Sequence, residues 1–214
     1  MNQIIKICGM RDNENIRAAA QLKPDIIGFI FYPDSPRFAG ELLKPEILSE
    51  LSPAIRRAGV FVNGSFTEIT KTVQKYFLNM VQLHGNETPE LCRQLKSDGL
   101  EVIKAFNINY IKGFSQCSDY ISCTDYFLFD TVTMKHGGSG QKFDWKILEN
   151  YSLSHPFFLS GGIGPEDAES ISGISNPSFY GIDLNSRFEI NPGLKDIDTL
   201  RKFINEFRLK NILS

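Results

Sequence analysis

Eight short apolar runs alternating with amphipathic stretches predict a (β/α)8 barrel for this 214-residue chain. Three observations carry the prediction. The runs have strand length, most segments between them show helical periodicity, and no Pro/Gly-rich linker or shift of composition divides the chain. Residues 1–214 therefore read as one domain, near the lower size of such barrels at about 200 residues. The rival architecture is an open doubly wound sheet, whose ligand would sit where the strand order reverses.

The strand candidates are IIKIC (4–8), IIGFIF (26–31), AGVFV (58–62), MVQLH (80–84), VIKAF (102–106), YFLFD (126–130), PFFLS (156–160) and FYGIDL (179–184). NENIRAAAQL follows the first, FTEITKTVQKYF the third and TPELCRQLKSDG the fourth, each with apolar residues at helical spacing. IDTLRKFINEFRLKNIL closes the chain as a helix. Side chains alternate along a strand, so Cys8 shares a face with Lys6 and Ile4, while Ile5 and Ile7 face the covering helices. The same alternation groups Asp130 with Leu128, Lys104 with Val102 and Gln82 with His84, and sets polar residues along the expected inner side of the barrel. Lys6 and Lys104 either pair internally with carboxylates and only hold the core together, because a buried charge must be compensated, or take part in the site.

Composition narrows the function. With 42% apolar residues, 22% charged residues and a net charge of −2, the chain has the balance of a globular protein and no basic footprint for nucleic acid. The N-terminus has no signal-peptide pattern and no apolar run is long enough to cross a bilayer, so a cytoplasmic location without membrane contact is expected. Cys8, Cys92, Cys117 and Cys123 are scattered without ligand spacing, which predicts free thiols and neither a metal site nor a disulfide framework.

In such barrels the reacting groups stand at the C-terminal strand ends. Cys8 ends the first run and Asp130 the sixth. A strand-end Cys is commonly a small buried hydrophobe and a strand-end Asp a cap, but together on one rim they fit a base and an acid flanking one substrate. The loops LSGGIGPEDAES (159–170) and GIDLNSRFE (181–189) are glycine-rich or polar and leave strands seven and eight, where phosphate sites of these barrels are built. The first is expected to enter a short helix near Pro165. GGIGPEDA approaches a dinucleotide fingerprint but follows seven strands instead of opening a βαβ unit. GGSG (137–140) lacks the Lys-Ser/Thr of a P-loop and reads as a flexible loop beside Asp130. Arg37, in the SPR turn after strand two, is either a solvated residue or a fork for a substrate carboxylate. His84, ending strand four, is either structural or substrate-facing.

As a set, KICG (6–9), FYPDSPR (31–37), GVFVN (59–63), QLHG (82–85), Asp130 with GGSGQKFDW (137–145), LSGGI (159–163), GIDLNSRFE (181–189) and PGLKD (192–196) resemble the phosphoribosylanthranilate isomerases of tryptophan biosynthesis. The resemblance implies Cys8 as general base, Asp130 as general acid and Arg37 as partner of the anthranilate carboxylate. It further implies a phosphate held by the loops at Gly161 and Gly162 and at Asp183 to Ser186, including Asn185, with His84 on the substrate side. The implied reaction is an Amadori rearrangement of a phosphorylated aminosugar needing no metal or cofactor, in a monomer or homodimer. Ser139 departs from the usual Thr of its element, and residues 107–124 match less well. Competing readings are another phosphosugar barrel enzyme, such as an epimerase, or a non-catalytic phosphosugar-binding module.

Overall fold

The computed structural model of the chain describes residues 3–40, 42–108, 111–130 and 145–213. Its eight parallel strands are β1 (Ile4–Ile7), β2 (Ile26–Ile30), β3 (Arg56–Phe61), β4 (Met80–Leu83), β5 (Glu101–Asn107), β6 (Tyr126–Asp130), β7 (Phe157–Ser160) and β8 (Phe179–Leu184). They follow one another round a closed barrel. β8 returns to β1 in the register Ile4 to Gly181, Ile5 to Ile182, Lys6 to Asp183 and Ile7 to Leu184. That last pairing rules out the open sheet.

The covering helices are α1 (Asn13–Ala20), α2 (Pro45–Ser49), α3 (Phe66–Lys75), α4 (Pro89–Ser97), α5 (Ala168–Ser172) and α6 (Ile197–Leu213). Their starts follow local chemistry. The Asp12 side chain accepts from the Asn15 amide at 2.8 Å, and Ser65 and Glu68 form a reciprocal capping box at the head of α3. Segments 111–120 and 145–150 are 3-10 turns, taking the place of covering helices beside β6. α5 begins at Ala168, three residues past the Pro165 expected from sequence, because Pro165 and Glu166 form a turn and the Asp167 carboxylate accepts from the Gly164 amide at 2.7 Å. A small antiparallel hairpin, β9 (Glu189–Asn191) and β10 (Leu194–Lys195), follows β8.

Strand alternation divides the apolar residues into two layers. Ile26, Ala58, Met80, Ile103, Ala105, Leu128 and Phe158 fill the barrel, with Ile4, Tyr126 and Tyr180 packed against them. Ile5, Ile7, Phe29, Val102, Phe127, Phe129, Phe157 and Ile182 belong to the larger layer beneath the helices. Each such side chain contributes about 2 kcal/mol by leaving water. The four cysteines are buried and form no disulfide with one another. Among the described residues, no helix is long and apolar enough to cross a membrane.

Lys104 corrects one expectation. It is buried and paired, but it shares the outward face of β5 with Val102, since Ile103 and Ala105 are the residues that fill the barrel. Its ammonium lies 3.1 Å from Glu87 and donates to the carbonyls of Gly85 at 2.8 Å and Leu83 at 3.2 Å. The amides of Asn63 and Gly85 complete the Glu87 carboxylate. This ion pair ties the β3 and β4 loops to β5. Lys104→Met should lower stability by about 3–5 kcal/mol, because it strands a buried carboxylate, and Lys104→Met with Glu87→Gln should recover part of the loss. Thermal unfolding reads both, and a single variant as stable as the parent would show the pair to be dispensable.

Candidate active site

Cys8 directly follows β1, where its amide donates to the Leu184 carbonyl at 2.9 Å and its side chain is buried. Gly9 then turns with φ +77°, and a Cβ there would stand 2.8 Å from Arg37 Cδ and 2.7 Å from Asn185 Oδ1. The residue after the thiol must therefore be glycine in both conformation and space. Its bareness lets Arg37 and Asn185 approach the end of β1.

Arg37 is set by its own turn, in which its amide donates to Ser35 Oγ at 3.1 Å. Its guanidinium is held by a carboxylate. Nε lies 2.9 Å from both Glu189 oxygens and Nη2 lies 2.6 Å from Oε2. Lys195, from β10, donates to Glu189 at 2.7 Å and to Asn185 Oδ1 at 2.7 Å. Burial works to raise the Glu189 carboxyl, but the bonds from Arg37, the charge of Lys195 and the Gly193 amide outweigh it and hold the group below its usual range. Burial lowers Lys195, against the opposing charge of Glu189. Glu189 thus fastens Arg37 by its Nε edge and leaves Nη1 uncommitted among the described residues.

Beneath Cys8, the Lys6 ammonium lies 2.9 Å from the Asp183 carboxylate, both inside the barrel and nearly inaccessible. Ser160 adds a 3.4 Å bond to Asp183. Burial pulls the Lys6 ammonium down, but Asp183 and Cys8 more than restore it. Burial pushes the Cys8 thiol up; Lys6 opposes the rise, Asp183 adds to it, and the net direction is upward. Strand alternation turns the Asp183 carboxylate into the barrel towards Lys6, beneath the loop that leaves β8. Asn185 is likewise engaged through Oδ1 by Lys195, while Ser186 is exposed and opens a 3-10 turn, Ser186–Phe188.

Across the rim, Asp130 ends β6 half-buried, and its Oδ2 lies 3.3 Å from His84 Nε2. His84 Nδ1 lies 3.0 Å from Gln82 Nε2. Residues 137–140 lie outside the described residues, so the GGSG expectation has no structural counterpart here. Gly161 and Gly162 follow β7 with φ +84° and +70°, a left-handed pair that turns successive amides around a short loop. Arg187 reaches across from the β8 loop to Glu166 at 3.0 Å, joining the two loops.

The structure therefore brings Cys8, Arg37 and Asn185 together, joins His84 to Asp130, and places both groups on one rim, β1 and β6 being three strands apart through β8 and β7. Sequence reasoning passed over Glu189 and Lys195. Both sit inside recognised stretches, GIDLNSRFE and PGLKD, but charged residues in loops ordinarily face water and carry no spacing signal. Among the described residues no cluster of His, Cys, Asp and Glu could hold a metal ion.

A closed (β/α)8 barrel with a thiol, a carboxylate and an arginine at its C-terminal strand ends defines a barrel enzyme acting on a small molecule. The family model described as N-(5'phosphoribosyl)anthranilate (PRA) isomerase matches residues 5–206, and the chain belongs to this family. An N-(5'-phosphoribosyl)anthranilate isomerase of Parabacteroides distasonis is 48% identical over 206 residues, covering 95% of this chain and 92% of that one. The crystal structure of phosphoribosyl anthranilate isomerase from Thermotoga maritima superposes with a TM-score of 0.81 at 34% identity, covering 96% of this chain and 98% of that one. A phosphoribosyl anthranilate isomerase in complex with reduced 1-(o-carboxyphenylamino)-1-deoxyribulose 5-phosphate gives a TM-score of 0.80 at 31% identity, with coverage of 96% and 98%.

The balance around Cys8 is measurable. The thiolate absorbance that disappears in Cys8→Ala should titrate above the usual thiol range, because burial outweighs Lys6. Replacing the pair together, Lys6→Met with Asp183→Asn, should move that midpoint further up, since the lowering by Lys6 exceeds the raising by Asp183. A midpoint at or below the ordinary thiol value in the parent protein would overturn the dominance of burial.

Proposed function

We propose that this chain catalyses the Amadori rearrangement of N-(5-phosphoribosyl)anthranilate to 1-(2-carboxyphenylamino)-1-deoxyribulose 5-phosphate, a step of tryptophan biosynthesis, as one cytoplasmic barrel domain working as a monomer or homodimer. Family membership supports the reaction. The observation that carries the residue assignment is the packing of Arg37 against Gly9, next to Cys8, with one guanidinium nitrogen uncommitted among the described residues. A substrate carboxylate bound there lies beside the thiol.

In this reading Asp130 gives its proton to the furanose ring oxygen. The C1′–O4′ bond breaks, and the anilino nitrogen's lone pair forms the C1′=N iminium. Cys8, as thiolate, takes the proton from C2′; the C–H electrons form the C1′=C2′ bond, and the iminium electrons return to nitrogen. The resulting enolamine tautomerises to the ketone by losing the hydroxyl proton at O2′ and gaining one at C1′. The substrate's own iminium is the electron sink, so two proton-transfer groups suffice. A thiol raised by burial is a minor thiolate at neutral pH but a stronger base once ionised, which suits removal of a carbon-bound proton. The positive-φ turn at Gly161 and Gly162 and the β8 loop, bridged by Arg187 and Glu166, are the proposed phosphate cradle.

Loss of anthranilate-type fluorescence from freshly prepared substrate follows turnover. Cys8→Ala and Asp130→Asn should each lower kcat by roughly a thousandfold, within the 10²–10⁴ range of one proton-transfer group, with circular dichroism unchanged. Arg37→Ala should cost on the order of 2–4 kcal/mol in kcat/KM, and Arg37→Lys should recover only part of it. A folded Cys8→Ala protein keeping more than a tenth of kcat would reduce the thiol to core packing.

A further inference from the structure

We propose that Gln82 is a positioning residue for the acid: its buried amide decides which nitrogen of His84 carries the proton, and thereby which oxygen of Asp130 holds the proton delivered to substrate. The inference rests on the reading of Asp130 as the acid.

Gln82 lies on the inner face of β4, two residues after the barrel-filling Met80, and is 1% exposed. It stands two residues before His84, so strand alternation turns both side chains the same way. Gln82 Nε2 is 3.0 Å from His84 Nδ1, and His84 Nε2 is 3.3 Å from Asp130 Oδ2. A neutral imidazole carries one N–H. With an amide NH2 turned to Nδ1, that nitrogen must accept, and the hydrogen lies on Nε2, facing Asp130.

The amide orientation follows from the same network. As it stands, Gln82 Oε1 is a buried acceptor without a partner among the described residues. Turned over, the amide would bring Oε1 to Nδ1 and leave its NH2, with two donors, in that place. The first arrangement leaves one acceptor and one N–H unmatched and the second leaves two N–H groups; a buried N–H without a partner is rarer than a carbonyl oxygen without one, so the first is the better satisfied.

The consequence falls on the acid. His84 Nε2–H occupies Oδ2, so a protonated Asp130 carries its hydrogen on Oδ1. That oxygen is the one left to donate. When the proton passes to the ring oxygen, the same N–H stabilises the carboxylate that remains, and reprotonation from solvent returns the hydrogen to Oδ1. In the opposite tautomer His84 would present a lone pair to Asp130 and accept its proton, diverting it from the substrate.

Nitrogen NMR of histidine-labelled protein reads the tautomer directly, the His84 signals being those lost in His84→Asn. The unliganded parent should show Nε2 protonated and Nδ1 bare. Gln82→Met, of similar volume but without a donor, should give mixed tautomers, lower kcat tenfold to a hundredfold and leave KM within twofold, since Gln82 does not reach the rim. In a His84→Asn background the same replacement should change kcat less than twofold. Gln82→Glu, which can only accept when ionised, should hold the hydrogen on Nδ1 and be slower than Gln82→Met. A parent protein with Nδ1 protonated overturns the proposal whatever the variants do, as does Gln82→Met with kcat and tautomer unchanged. If Asp130→Asn keeps its activity while the tautomer still follows residue 82, the acid assignment fails and the control of His84 by Gln82 stands.

Discussion

The pairing of β8 with β1 is the constraint on which the rest of this site depends. Its register places Lys6 opposite Asp183, and the two side chains, on the inner face, meet as an ion pair. Two residues past Lys6, Cys8 is tied to the Leu184 carbonyl, and beyond it Asn185 stands against Gly9. A slip of one residue would turn every one of these side chains to the opposite face. Closure of the barrel and assembly of the thiol's surroundings are thus one event.

The electrostatics of the rim are arranged in layers. Lys6 and Asp183 lie below the thiol, and Glu189 with Lys195 and Arg37 lie beside it, each charge meeting an opposite one within hydrogen-bond distance. Buried pairs of this kind return little net stability, because desolvation offsets their attraction. What they supply is orientation. Glu189 grips the Nε edge of Arg37, so the guanidinium reaches the rim already aimed, and less side-chain entropy is lost when a carboxylate arrives.

Much of the architecture was legible because it rests on local periodicity. Ile4, Ile5, Lys6, Ile7 and Cys8 fall on the predicted faces, and every strand candidate became a strand of the barrel. Parity alone misled at Lys104, since alternation says which residues share a face but not which face is inside; Ile103 and Ala105 took the interior of β5. At the loop after β7 a side-chain-capped turn set the helix start at Ala168, three residues past Pro165.

By itself the sequence determined the number and order of strands, the rim positions of Cys8 and Asp130, and the family, because these follow from short-range patterning and from motifs that keep their order along the chain. Only the tertiary structure decided the partners. Asp183 met Lys6 inside the barrel, Glu189 emerged as the holder of Arg37, and Gln82 came to stand behind His84 and Asp130. The first two of these meetings join residues 177 and 152 positions apart. Such contacts are fixed by strand register and by which charges closure brings into the same dry space, and no local pattern encodes either.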